Sequence, residues 1–565
     1  MKLSHDRYLP YDEYTAALKE LVTASPELGL LESVGQSFRG REIWAVTLTN
    51  RATGSPESKP GFYIDGNNHG EEVITSSVTL YTIDFLLSEY GQDPDVTRLL
   101  DTRVVYVLPR VNPDGAEICL TTPYRTVGTG RYHPADEYPT GLHLEDLDGD
   151  GEIRQMAIPD PRGEWCRSSA EPRLLVLREP WEADGQYYRM VPEGILRDWD
   201  GVSLPIVPPR HGNLNRQFPV NWEPEGGEYG SGDFPLNEPE AMAMARFVLS
   251  HPNITGAQAY HSHGGIILRP SGFRRDAELP AADLDIFRSL GALGTEATGY
   301  PLISTYEDFT PNMRSPRHGM FTDWLYDRMG IPAFASEVWD VETEAGIPKE
   351  QFFSTRPHNE TEQIRFLEWA DQHSPRAHQD WREFAHPQLG TVLLGGWDPY
   401  FIHRNPPPSL IAKVALPNTL FTVRHALASP LLHIRGFKAQ PVSADLHIVQ
   451  VQVENLGYLA TNLTDQARNL GKGGDITIEL DLDLDCELLM GQPVVTLGDL
   501  AGREERRMPY DPWRRPWGEP AGRAEWLVRG AGASRITVHA RSTKAGSCSA
   551  HATLDDLQNC DSNQQ

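Results

Sequence analysis

The sequence predicts an α/β domain followed by an antiparallel β-sandwich, and three observations carry that prediction. Apolar helical stripes alternate with short apolar runs up to about residue 375, the pattern of layered helices and strands. Beyond that point apolar residues recur at every second position, which marks sheets with one wet face. The cluster Asp65-Gly66-Asn67-Asn68-His69-Gly70-Glu71-Glu72 follows the apolar run Gly61-Phe62-Tyr63-Ile64 and precedes a helical pattern from Val73. Open α/β sheets gather their ligands at strand ends of this kind.

In chain order, Tyr11, Tyr14, Leu18 and Leu21 form one helical stripe, closed by Ser25-Pro26. Residues 42–48 and 62–65 read as strands, and a helix from Val73 turns Val78, Tyr81, Phe85 and Leu86 inward before stopping at Gly91. The β-rich run 104–108 reads as a central strand covered on both faces. An insertion rich in Gly, Pro and Asp, about residues 116–210, breaks the rhythm. A helix at 238–249, strands at 257–260 and 264–268, a helix at 321–329 ended by Gly330-Ile331-Pro332, a buried strand at 333–336 and a helix at 361–370 complete a domain spanning 1–375. Asn405-Pro406-Pro407-Pro408 marks residues 376–430 as a stiff connector. Alternation at Leu446, Ile448 and Val451, from Ile476 to Leu488, at 526–528 and at Ile536, Val538 and Ala540 places the sandwich at 431–555, with a disordered tail at 556–565.

At 565 residues, 39% hydrophobic and 23% charged, the chain has an ordinary globular composition and the length of two or three domains. Its formal charge of −28 repels nucleic acid and anionic membranes, so neither is expected as a general partner. No apolar run is long enough to span a membrane and no apolar signal region follows Met1. Five cysteines without metal-finger spacing speak against a disulfide framework, and a cytoplasmic setting is the expectation.

His69 and Glu72, three apart on a turn entering a helix, can aim an imidazole nitrogen and a carboxylate oxygen at one point, which suits zinc. The plain alternative is a loop hydrogen bond for His69 and a carboxylate favoured at a helix start for Glu72. A third ligand is found in the polar break Ala259-Tyr260-His261-Ser262-His263-Gly264-Gly265. The stretch Ala335-Ser336-Glu337-Val338-Trp339-Asp340 places an acid at another strand end, where a general base could take a proton from a metal-activated water and pass it to a leaving amine. Separately, Asp146-Leu147-Asp148-Gly149-Asp150-Gly151-Glu152-Ile153 matches the first eight positions of a calcium loop, but position 12 is Ala157. Calcium held by Asp146, Asp148 and Asp150, or an acidic turn tied to its own backbone, are both open.

His69-x-x-Glu72, Asn112-Pro113-Asp114-Gly115, Asn215-Arg216, Tyr260-His261-Ser262 and Glu337-x-x-Asp340, in this order, resemble the zinc carboxypeptidases of the carboxypeptidase A-like family across roughly residues 8–372. The resemblance implies a mixed, mostly parallel sheet with helices on both faces. It also implies one zinc per chain on His69, Glu72 and His261, Glu337 as the base, and a peptide substrate with a free C-terminus gripped by Asn215 and Arg216. Arginine suits that grip because its planar fork matches a carboxylate. It further implies Tyr306 as a tyrosine closing over the substrate and Thr322 as the floor of the side-chain pocket. Arg125, with Arg131 close behind, is expected to polarise the scissile carbonyl. Asn213 stands where the family commonly has an Asp that orients a zinc-bound histidine. Activation by proteolysis is not expected, because the pattern begins almost at Met1. Alternatives are a zinc amidase or endopeptidase acting on cell-wall or other modified peptides, and a non-catalytic peptide-binding scaffold.

Overall fold

The computed structural model describes residues 3–131, 140–201, 212–309, 316–348, 359–398, 400–503 and 520–558. Its centre is an eight-stranded sheet of β1 (Gly29–Gln36), β2 (Glu42–Leu48), β3 (Gly61–Asp65), β4 (Val104–Leu108), β5 (Ile254–His261), β6 (Ile266–Arg269), β7 (Leu302–Ser304) and β8 (Ala333–Glu337). The spatial order is β1-β2-β4-β3-β5-β8-β6-β7. The inner four, β4, β3, β5 and β8, run parallel, while β2 joins β4 and β6 joins β8 antiparallel.

β3 and β4 are buried on both faces, which is why Gly61–Ile64 and Val104–Leu108 read as unbroken apolar runs. Phe62 and Ile64 point into one core, with the helices Tyr11–Ala24, Val73–Glu89 and Pro94–Thr102. Tyr63 points into the other, with Pro239–Ser250, Ala281–Thr298 and Phe321–Met329. All four parallel strands therefore end at the same rim, and that rim carries Asp65, His261 and Glu337.

The expected connector is not one. Strand His378–His386 pairs with Gly390–Trp397, which in turn pairs with the insertion strand Gln155–Pro159, so the two segments build a single six-stranded sheet with Tyr188–Pro192, Trp165–Arg167 and Leu175–Leu177. The helix Ile411–Leu427 packs against Val73–Glu89 and Ala281–Thr298, burying Ile411, Val414, Phe421 and Ala426. Pro417 inside it and the preceding prolines hid a helical stripe that tertiary burial sustains.

Two four-stranded antiparallel sheets form the C-terminal domain around Val449, Val451, Ile478, Trp526 and Val538. The alternation from Ile476 to Leu488 is not one strand: Ile476–Leu482 lies in one sheet and Glu487–Met490 in the other, with Leu484 fully exposed in the turn between. The domain docks on the first through Asp283, which accepts the amides of Asp465 and Gln466, and through Thr464 Oγ1 donating to Gly330 O. Of the expected tail, Leu554–Gln558 is helical and 559–565 lie outside the described residues. Among the described residues, no helix is long and apolar enough to cross a membrane.

Candidate metal centre

The turn after β3 is shaped by its own side chains. Asn67 adopts a left-handed conformation (φ 61°), and its Nδ2 donates to His69 O and Gly70 O. Thr75 Oγ1 accepts from Asn67 N and donates to Glu72 O. Glycine is required at 70, where a Cβ would stand 2.7 Å from Gly115 Cα. His69 and Glu72 are thereby presented together at the start of the helix Val73–Glu89.

His69 Nδ1 lies 2.8 Å from Glu72 Oε1, while His261 Nδ1 lies 3.2 Å from Glu72 Oε2 and 3.3 Å from His69 Nδ1. A tetrahedral zinc with bonds of about 2.0–2.1 Å holds its ligand atoms roughly 3.3 Å apart. Two imidazole nitrogens and a carboxylate at these separations fit that ion, and the three residues form one of two acidic or imidazole clusters with metal-holding spacing among the described residues. Burial opposes a charge on Glu72, yet His69 and His261 hold its carboxylate well below the usual range.

Glu337 sits at the same register position as His261 on the neighbouring strand. Desolvation, and then Glu72, push its carboxyl up to about 7, against His261, Arg404 and Arg317. On the other side, Arg216 is within electrostatic reach of His69; its Nε pairs with Glu228 at 3.1 Å and its Nη1 donates to Asn215 O. Asn215 Oδ1 accepts from Phe321 N, which ties Asn215 to the buried Thr322. Tyr306 is half-buried in a π-helical turn, Thr305–Phe309.

Three expectations are corrected. Arg125 does not turn to this centre: its guanidinium stacks on Tyr400, pairs with Glu152 at 3.1 Å and donates to the carbonyls of Cys119, Thr122 and Tyr124. Arg131 faces Glu238 and Phe38. Asn213 does not orient a histidine, because its side chain accepts from Asn215 N, and His69 Nε2 is buried with no hydrogen-bond partner among the described residues.

The second cluster joins Asp146 and Asp148 to Glu193, a residue outside the loop. Its carboxylates are already engaged: Asp146 accepts from Gly149 N and Gly151 N, Glu193 from Leu147 N and Arg154 N, and Asp148 pairs with Arg382, near Asp150. The loop is thus an acidic turn tied to its own backbone and to an arginine, and the expected calcium has no support in it.

Sequence reasoning missed the segment 400–405. Arg404 Nε pairs with Glu71 at 2.9 Å, its Nη1 donates to Ser262 O at 2.9 Å, and Ser262 Oγ donates back to Arg404 O. Asn405 Oδ1 accepts from Ile74 N, and its Nδ2 donates to Glu71 O. The one available signal was an Arg-Asn pair directly before the prolines, which read as a linker.

A family model described as zinc carboxypeptidase matches residues 14–149 and 200–364, over half of the chain, and a second, described as a domain of unknown function, matches 431–553. Carboxypeptidase M of Mus musculus is 32% identical over 111 residues, 20% of this chain and 25% of its own length. A zinc carboxypeptidase of Saccharothrix mutabilis subsp. capreolus is 32% identical over 115 residues, 20% of this chain and 26% of its own. The chain thus covers about a quarter of these relatives. The solved structure of bovine thrombin-activatable fibrinolysis inhibitor in complex with tick carboxypeptidase inhibitor is similar at a TM-score of 0.42 and 15% identity, covering 75% of this chain and 97% of that one.

Proposed function

The chain belongs to the zinc carboxypeptidase family, and from that premise we propose that it hydrolyses the C-terminal bond of peptides with a free carboxylate, Glu337 acting as general base. The observation that carries this reading is the register pairing of Glu337 with His261, which sets a carboxyl beside three converging donors. Zinc, when bound by His69, Glu72 and His261, supplies a Lewis acid that polarises a carbonyl and acidifies water.

The remaining work falls to side chains. Glu337, its affinity for a proton raised to the neutral range, takes the proton of the attacking water and returns it to the leaving amine. Arg216, anchored by Glu228 and by the Asn215 carbonyl, offers its remaining N–H groups to the substrate's carboxylate, with Asn215 Nδ2 beside it. Tyr306 and Thr322 keep the substrate-covering and pocket-floor roles that the family resemblance gives them. The carbonyl-polarising role expected of Arg125 passes to Arg404, a guanidinium that Glu71 and Ser262 hold beside Glu72 and Glu337.

A panel of peptides with free and amidated C-termini tests this reading. Release of the last residue from free acids alone is expected, and Glu337→Gln is to lose turnover by about 10²–10⁴-fold while zinc stays bound. Cleavage of amidated peptides would favour an amidase or endopeptidase instead. Zinc binding without any cleavage would favour a peptide-binding scaffold.

A further inference from the structure

Arg317 enters the same cleft from a different segment. Residues 316–321 run beside 215–220: Phe218 N donates to Gly319 O, Gly319 N to Val220 O, and Phe321 N to Asn215 Oδ1. Arg317 N is fixed in turn by Gly272 O at 3.0 Å, and its guanidinium stands over the Phe309 ring. The side chain is half-buried, five residues before the Thr322 floor, and within electrostatic reach of both Arg216 and Glu337.

This cation has no counter-ion among the described residues. Among the described residues no carboxylate lies within ion-pair distance of Arg317, and its Nε is buried without an acceptor. Arg216 differs, since Glu228 partly neutralises it. Burial first, and Arg216 second, lower the pKa of Arg317, with Glu228 and Glu337 opposing. A guanidinium nevertheless stays protonated, so a desolvated charge beside a like charge is unfavourable until an anion arrives. Asp323, the nearest acid in sequence, is buried and turns both oxygens to Gly272 N, so it is not available as a floor for a basic side chain.

We infer that Arg317 and Arg216 together select a C-terminal residue that carries a second carboxylate, as glutamate and aspartate do. Arg216 takes the main-chain carboxylate and Arg317 the side-chain one. A lysine or arginine at that position meets two like charges, and a glutamine leaves Arg317 without an anion. This inference rests on the carboxypeptidase reading and names its substrate class.

The test compares kcat/KM of the zinc-loaded protein on blocked dipeptides that end in Glu, Gln, Phe or Lys. The expected preference for Glu over Gln is roughly 10- to 100-fold, the range of a charged hydrogen bond. Arg317→Gln is to bring the Glu/Gln ratio close to one, and Arg317→Glu is to move the preference toward Lys. Equal or better cleavage of the Gln, Phe or Lys peptides by the unaltered protein overturns the inference, as does an unchanged ratio in Arg317→Gln. Should that variant not fold, inhibition of the unaltered protein by glutarate and by butyrate decides: at least about tenfold tighter binding of glutarate is expected, and equal binding overturns it. If the Phe and Gln peptides are cleaved, the carboxypeptidase reading stands whatever the outcome for Glu. If none of the four is cleaved, that reading and this inference fall together.

Discussion

Asn405 Oδ1 accepts the backbone N–H of Ile74 at 2.9 Å, so a residue far along the chain caps the helix that begins beside Glu72. Helix starts leave N–H groups unsatisfied, and this one is buried. Asn405 also donates to the carbonyls of Glu71 and Tyr400, which fixes the turn that aims Glu72. Asn405→Ala is therefore expected to cost about 1–3 kcal/mol, because it strands a buried donor. It should also weaken zinc about 10- to 100-fold, the usual effect of losing a group that supports a ligand. Thermal melts and chelator competition read the two effects separately.

The sequence suggested a role at the cleft for Arg125 and none for Arg404. Of the two, Arg404 lies within electrostatic reach of Glu72 and Glu337, whereas Arg125 is engaged by Glu152, three carbonyls and Tyr400. Arg404→Lys should lower kcat by about 10²–10³-fold, with a smaller change in KM, since it removes a donor needed most in the transition state. Arg125→Lys should instead lower stability and leave kcat nearly intact. Steady-state kinetics of the two variants, side by side, give the answer.

Glu240 tests the electrostatics of the domain away from the cleft. It is fully buried; Oε1 accepts from Phe38 N, Oε2 has no hydrogen-bond partner among the described residues, and burial raises its pKa to about 8. A folded-state pKa above the unfolded value of 4.5 means that folding favours the protonated acid. Its contribution is full below 4.5 and is lost as pH rises through about 8. Glu240→Gln mimics the neutral acid, so its Tm should match the parent at low pH and exceed it by a few degrees at pH 9.

The central strands and the convergence of His69, Glu72 and His261 were legible because burial and donor chemistry each impose a local pattern. Strands covered on both faces are mostly apolar, and the polar groups gather past the strand ends, as His69, Glu72, His261 and the Glu337 carboxyl do. What pairing over long distance decides was not legible. The sheet shared by Gln155–Pro159 and Gly390–Trp397 joins two segments that each looked irregular, and Pro417 concealed a helix whose stability comes from its neighbours. The helix Ala281–Thr298 went unread, because Gly291 and Gly294 interrupt its stripe; a Cβ at either would stand 2.5 Å from a side chain, Leu302 or Ile267. Arg125 failed for a related reason: proximity in sequence to Asn112-Pro113-Asp114-Gly115 does not fix where a long side chain points.

The most direct measurement is the position of zinc in anomalous-difference maps from crystals of the metal-loaded protein. The expected result is a single ion about 2.0–2.2 Å from His69 Nδ1, His261 Nδ1 and a Glu72 oxygen, with the Glu337 carboxylate facing it. An ion bound elsewhere, or one that His261 does not touch, would contradict the account.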